Sequence, residues 1–318
     1  MQGDQGVQLA PDDDNFHPPT SDDPMWSETT WFSISVPERR LHAYVYPWVR
    51  PNMKMFGGGV IVWDDTGDLP WDSLHCNYQW NLPLPELGDL RDVHFPQGIG
   101  VRCLEPLTTY QVTYDHPDCA IDVQFRAIME PHVVGRGDPP GLFSAHVDQP
   151  GHVTGRIVLH GEEIPVDCYA IRDRSWGPRL EDKTLRMGYD HAQCATSAFL
   201  AFSLPDAPGT PVIMGYLWRD GEAAALVGGT REIERDGVAP RRVIVRAVDA
   251  RGRTIEAVGE CVNRFSFTNI PWMFNWLSLT RWEYEGSDGA AAVGWGEVQD
   301  VWHTDKYRAF ARSVRYAS

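Results

Sequence analysis

The sequence predicts an all-β protein in two halves, and three observations point there. From Trp26 onward apolar residues recur with a period of two rather than 3.6. Gly, Pro and Asp-Gly pairs punctuate the chain roughly every ten residues, the spacing of short antiparallel strands. One convincing helix stands at the C-terminal end, where Tyr307, Phe310, Ala311 and Val314 share a face behind Thr304-Asp305. With 318 residues the chain is one large domain or two modest ones, and two all-β halves of similar length suggest a pair of related barrels.

Taken in order, residues 1–24 are polar, acidic and Pro-rich and predict a flexible arm. Leu41–Tyr46, Gly59–Trp63, Ile99–Cys103, Tyr110–Tyr114 and Ile121–Ile128 read as strands of a first β-domain over 25–150. Between Pro131 and Gly151 the composition turns to Gly, Pro and His, which predicts the crossover between the halves. Thr154–His160 and Ile164–Ala170 flank a turn at Gly161-Glu162 and open a second β-domain over 151–318. Its further strands are Ala198–Leu204, Pro211–Trp218, Ala224–Gly228, Arg242–Asp249, Ile255–Phe267, Thr280–Tyr284 and Ala291–Trp302. Turns fall at Asp220-Gly221, Asp236-Gly237, Arg251-Gly252 and Gly286–Gly289, and the helix closes the domain.

Composition removes several function classes. The 28 Lys+Arg against 44 Asp+Glu leave a net charge of −16, which argues against a nucleic-acid partner or adhesion to an anionic membrane. The longest uncharged runs, Phe265–Thr280 and His191–Pro205, are shorter than the ~20 residues a spanning helix needs. None of the six Cys forms a C-x-x-C pair, so a zinc knuckle or redox dithiol is not expected. The first 25 residues carry six Asp and no Lys or Arg, unlike a signal peptide. These features predict a cytoplasmic chain with reduced thiols, with a homodimer left open. The surplus is Trp, 13 of them. Trp fills wide cores, and it also lines aromatic cavities that stabilise cations.

Four segments could carry chemistry. In Arg172-Asp173-Arg174-Ser175-Trp176-Gly177-Pro178-Arg179 an acid is flanked by arginines. That is either an ion-pair cluster at a strand end or a carboxyl poised for proton transfer. Met187-Gly188-Tyr189-Asp190-His191 reads as a strand with Tyr189 and His191 on one face and Asp190 on the other. The segment 71–80 offers His75 and the alternating Tyr78/Trp80 pair, and 271–276 offers Trp272 and Trp276. No P-loop, nucleophile elbow, H-E-x-x-H or EF-hand pattern is present, and neither His116 with Asp115 and Asp118 nor His132 near Glu130 matches a metal-ligand spacing. No cofactor and no metal are expected.

The run Asp173-Arg174-Ser175-Trp176-Gly177 resembles the D-x-S-W-G signature of a lipocalin-like superfamily. That group holds carotenoid 1,2-hydratase, kievitone hydratase, tocopherol cyclase-like proteins, AttH-like proteins and fungal lipocalin-type Diels–Alderases. Asp22–Glu28 and Gly294–Trp302 are similar to its other shared stretches. The resemblance implies two lipocalin-like β-barrels, or strongly curved β-sandwiches, in tandem. It also implies an apolar pocket and, without redox cofactors, hydration of an isolated alkene or acid- or template-assisted cyclisation of isoprenoid or polyketide-derived substrates. Asp173, Trp176 and Arg179 are the matching positions. Arg174 departs from an acid role for Asp173 unless it points away, which strand alternation allows.

The reading that results is a hydro-lyase acting on a hydrophobic small molecule, with a cyclase, an isomerase or a non-catalytic carrier as alternatives. Asp173, Tyr189 and His191 are the candidate catalytic residues. Trp176, Arg179, His75, Tyr78, Trp80, Trp272, Trp276 and Trp282 are the candidate pocket residues.

Overall fold

The computed structural model describes residues 9–136, 145–179 and 186–317. Residues 1–8 of the expected arm and 137–144 of the expected crossover lie outside them. The first sheet runs β1 (Trp26–Val36), β2 (Leu41–Arg50), β3 (Met55–Trp63), β4 (His75–Pro83), β5 (Asp92–His94), β6 (Ile99–Glu105), β7 (Thr109–His116), β8 (Cys119–Ala127), β9 (His132–Arg136), β10 (Ala145–Leu159) and β11 (Glu162–Pro178). The second runs β12 (Arg186–Gln193), β13 (Ser197–Ser203), β14 (Val212–Arg219), β15 (Glu222–Asp236), β16 (Ala239–Asp249), β17 (Thr254–Cys261), β18 (Phe265–Ile270), β19 (Met273–Glu285) and β20 (Ala291–His303). The helix α1 (Thr304–Ala317) follows.

The first sheet is open, a half-barrel in the order β4-β3-β2-β1-β11-β10-β8-β7-β6-β5, with β9 on β10. In the second, pairing of β17 with β19 closes an eight-stranded barrel. Two barrels in tandem thus become one half-barrel and one closed barrel. The change of sheet falls between β11 and β12. The boundary expected at 150/151 lies inside β10, because the β10–β11 hairpin pairs with β1 and β8 and belongs wholly to the first sheet. His160 (φ 50°) and Gly161 (φ 87°) make that turn, with positive φ at both central residues as a tight right-twisted hairpin requires.

The described part of the arm is fastened down. Asp14 accepts the Tyr110 hydroxyl at 2.7 Å and the Leu107 N–H at 2.6 Å. His17 donates its backbone N–H to Glu28 at 2.6 Å. At the other end, Phe310 of α1 stacks on Trp302 at 4.8 Å and Tyr307 on Phe274 at 3.7 Å, so the helix caps the barrel through aromatic contacts. No helix among the described residues is long and apolar enough to cross a membrane.

The central strands of the half-barrel are buried on both faces, and alternation sorts their residues. Phe32, Ile34, Val45, Val60 and Val62 face the half-barrel's own core. Trp31, Tyr44, Tyr46, Trp48 and Trp63 face the other way. They pack on Tyr189, Leu200, Phe202, Tyr216, Phe265 and Phe267 of the barrel wall. This aromatic layer between the sheets is where the polar groups of interest lie.

Candidate functional site

A lipocalin-like barrel invites a search of its interior, but here the interior is a core. Phe199, Val243, Val245, Trp282 and Tyr284 fill it, with Trp282 fully buried and edge-on to Phe199 at 5.1 Å. Charged side chains are buried beside it: Arg231 grips Asp190 at 2.6 and 3.0 Å, and Arg186 and Arg235 hold Asp300 at 2.6 and 2.7 Å. Paired in this way the charges are tolerable, and losing one partner would strand the other.

The inter-sheet layer is different. Backbone register sets Trp31, Asp173 and Asp148 side by side across β1, β11 and β10, and Thr29, Ser175 and His146 in the next row. Tyr189 reaches over from β12 and donates its hydroxyl to Asp148 Oδ1 at 2.7 Å. His146 Nε2 lies 3.1 Å from Asp148 Oδ2, an ion-pair contact without hydrogen-bond alignment. Asp173 completes the group. It is half-buried as a residue, yet its Oδ1 is shielded from solvent and has no hydrogen-bond partner.

The electrostatics follow from this packing. Burial drives the Asp173 carboxyl up; His146, Arg179 and Arg172 pull it down, the Asp148 charge pushes it up again, and it settles at about 7. Burial works against protonation of His146, but Asp148 more than offsets that and leaves the imidazole raised. Burial, then Asp148 and Asp173, put the Tyr189 phenol well above its usual range, so it stays a donor. The site is a carboxyl titrating near neutrality beside a carboxylate held by a phenol and an imidazole. His146, Asp148 and Asp173 also bring one ligand-type atom each within 4.8 Å of one another, so these residues are where a cation would be held.

Alternation divides the Asp173 segment as its spacing predicts. Asp173 and Ser175 face the layer. Arg172, Arg174 and Trp176 face the other way, where Arg174 pairs with Glu28 at 3.0 Å and Trp176 stacks on His17 at 4.0 Å. Arg174 therefore points away from Asp173, and so does Trp176. Arg179 stays close, donating to Ser175 Oγ at 2.6 Å. With Tyr78, Trp48 and Thr29 it lines a cleft of about 20 Å³, the room of a single water. His191 sits in the layer beside Trp31 (5.9 Å) and Tyr189 (5.6 Å).

The remaining predicted residues are not brought together with Asp173. His75 bonds the Tyr114 hydroxyl at 3.0 Å and meets His116 at 4.8 Å on β4. Trp80 is 41 % exposed. Trp272 lies in the β18–β19 turn, Trp276 packs edge-on to Phe274, and Trp282 is in the barrel core. Sequence reasoning missed His146 and Asp148 because they fall in the segment read as a crossover. The turn expected at Gly161-Glu162 pairs residue 148 with 175, whereas the observed turn at His160-Gly161 shifts that pairing and sets 148 opposite 173 and 146 opposite 175.

This architecture, a curved open sheet against a closed barrel, is shared by several solved structures. They include a candidate AttH from Nitrosomonas europaea, 15 % identical over 93 % of this chain and 98 % of that one, with a TM-score of 0.50. CghA solved with Sch210972 is 15 % identical over 89 % of each chain (TM-score 0.57). Kievitone hydratase from Nectria haematococca is 12 % identical over 96 % of each (TM-score 0.55). At such identities the likeness is one of fold, the fold that the Ser-Trp-Gly motif led us to expect. No curated protein matches the chain. Residues 10–301 match the family described as a domain of unknown function, DUF7064, and the chain belongs to that family.

Proposed function

We propose that this chain is a hydro-lyase that adds water to, or removes it from, a terpenoid or prenylated small molecule without a redox cofactor. The observation that carries the reading is Asp173, a carboxyl titrating at about 7 with a shielded, unbonded oxygen in an aromatic layer. A carboxyl of that kind holds its proton near neutral pH and can release it to a weakly basic carbon. Asp148 stays in place through Tyr189 and His146, and its charge keeps the neighbouring proton on Asp173. Trp31 and Tyr189, 6.0 Å apart, present aromatic surface beside the acid, suited to a developing carbocation. Arg179, Tyr78 and Trp48 line a narrow cleft at the edge of this layer. The likeness in fold to a kievitone hydratase and to CghA supports an enzyme of this general type. All six cysteines are free thiols, which suits a cytoplasmic setting.

The test is incubation with a panel of prenylated and terpene alcohols in heavy-oxygen water. Label exchange that disappears in Asp173→Asn is the expected result, and its absence across the panel sinks the reading. A cyclase using the same acid would return product of unchanged mass. A carrier would return its ligand unaltered and bind it equally well with Asn at 173.

A further inference from the structure

The inter-sheet layer holds a second buried polar cluster that the Asp173 chemistry leaves unused. Glu297 of β20 is fully buried, within the segment Gly294–Trp302 that the sequence singled out. The registers Asp190↔Val298 and Gln193↔Trp295 set it opposite His191 of β12. Directly opposed residues have Cβ atoms about 4.5–5.5 Å apart, so the two side chains share one space. From the first sheet His42 reaches across, with Nε2 3.3 Å from Glu297 Oε2.

The hydrogen bonding of this cluster is incomplete in a specific way. Gln193 places its amide nitrogen 2.7 Å from His191 Nδ1. An amide N–H there makes Nδ1 the acceptor and puts the neutral ring's proton on Nε2. Burial, helped by His42, pushes His191 down to about 3, so the ring is neutral at ordinary pH. Its Nε2 has no partner, and neither Glu297 oxygen makes a hydrogen bond. A donor and an acceptor thus stand buried and unmet, which native interiors seldom allow. One oxygen satisfies both, a water or hydroxyl that accepts from His191 Nε2–H and donates to Glu297.

The cluster belongs to the same layer as Asp173. Trp31 touches both sides, 6.0 Å from Tyr189 and 5.9 Å from His191. Tyr44 packs on Trp31 at 5.5 Å, and both Glu297 and Asp173 act on its hydroxyl, behind the larger effects of burial, Tyr46 and Tyr78.

We propose that His191 and Glu297, with His42 positioning the carboxyl, form the oxygen subsite of the reaction. It would hold the water that adds to the substrate or the hydroxyl that leaves it. This rests on the hydro-lyase reading above. In hydration the alkene π pair takes the proton of Asp173 and forms a C–H bond. The water oxygen forms the C–O bond at the other carbon, and its proton passes to Glu297. Exchange with solvent then restores both carboxyls, so the sum is alkene plus water to alcohol. Dehydration runs the same steps backward. A cyclase needs no such subsite, so the cluster also favours hydration chemistry.

The experiment pairs a high-resolution crystal structure of the full chain with label exchange, using 2-methylbut-3-en-2-ol in heavy-oxygen water. The structure is expected to show an ordered oxygen within hydrogen-bond distance of both His191 Nε2 and Glu297. Glu297→Gln, and His191→Phe with its ring bulk retained, should each lower exchange by about 10²-fold or more. His42→Phe should lower kcat at unchanged KM, and His42→Gln, which keeps a polar N–H near Glu297, should restore part of it. Glu297 bonded straight to His191 with no oxygen between them would overturn the subsite, as would exchange untouched by both replacements. An ordered oxygen without any exchange by the wild-type chain would keep the subsite as a hydroxyl-binding site and overturn the hydro-lyase reading instead.

Discussion

Replacing Asp173 by Asn removes one proton-binding group from the layer, and the pH dependence of stability isolates that group. In the folded chain its carboxyl sits at about 7, against the usual 3.8 that applies once the chain unfolds. The folded state therefore binds this proton more tightly. Its stabilising contribution is fully present below about pH 4 and is lost as pH rises through about 7. Roughly three pKa units at about 1.36 kcal/mol each set a ceiling of about 4 kcal/mol. Asp173 is only half-buried, and solvent screening brings the expected figure to about 2–4 kcal/mol. Asn does not titrate. The stability of Asp173→Asn relative to wild type should rise by about 2–4 kcal/mol between pH 4.5 and pH 8. Chemical denaturation followed by Trp fluorescence at a series of pH values measures this, and the difference between the two proteins cancels every group they share. Parallel stability profiles would show that Asp173 is an ordinary ionised carboxylate, and the acid role would fall with it.

Other consequences can be checked on the same material. Tyr189→Phe takes the donor from Asp148 Oδ1 and leaves a buried carboxylate oxygen unmet, so denaturation should show a loss of about 1–3 kcal/mol. Arg231→Met strands Asp190 in the barrel and should cost about 3–5 kcal/mol by the same measurement. Trp282→Ala empties part of the barrel core and should cost about 3–5 kcal/mol. Trp80→Ala, at an exposed position, should stay within about 0.5 kcal/mol. Prolonged treatment with a chelator should leave label exchange unchanged. Its loss, restored by a divalent cation, would mean that a metal rather than a proton bridges His146, Asp148 and Asp173.

Much of the strand layout was legible because it depends on neighbours in the chain. Leu41–Tyr46 and Gly59–Trp63 emerge where alternation places them, and the β10–β11 hairpin turns at His160-Gly161, one residue before the expected Gly161-Glu162. The same alternation turned Arg174 away from Asp173 and Asp190 away from Tyr189. The boundary was expected at 150/151 because Gly, Pro and His in 131–151 resemble a linker. In the structure Pro150 and Gly151 are paired residues of β10 instead. The Trp surplus was legible as a need for aromatic packing but not as a location. Trp282 and Trp31 are both fully buried, one in the barrel and the other against Tyr189, and no local pattern distinguishes those fates.

The acidic balance, the period of two, the turn chemistry and the Asp-x-Ser-Trp-Gly run were enough to assign an all-β chain and to select Asp173. These rest on backbone geometry and composition, which act over a few residues. The identity of the groups around Asp173 rests on which sheet face meets which. Tyr189 finds Asp148 across 41 residues of sequence, and Trp63 finds Asn263 across 200. His42 meets Glu297 from the opposite end of the chain. Burial and neighbouring charge raise the Asp173 carboxyl, and both are properties of the assembled layer. A carboxyl flanked by two arginines reads as ionised until the fold turns both arginines to the other face.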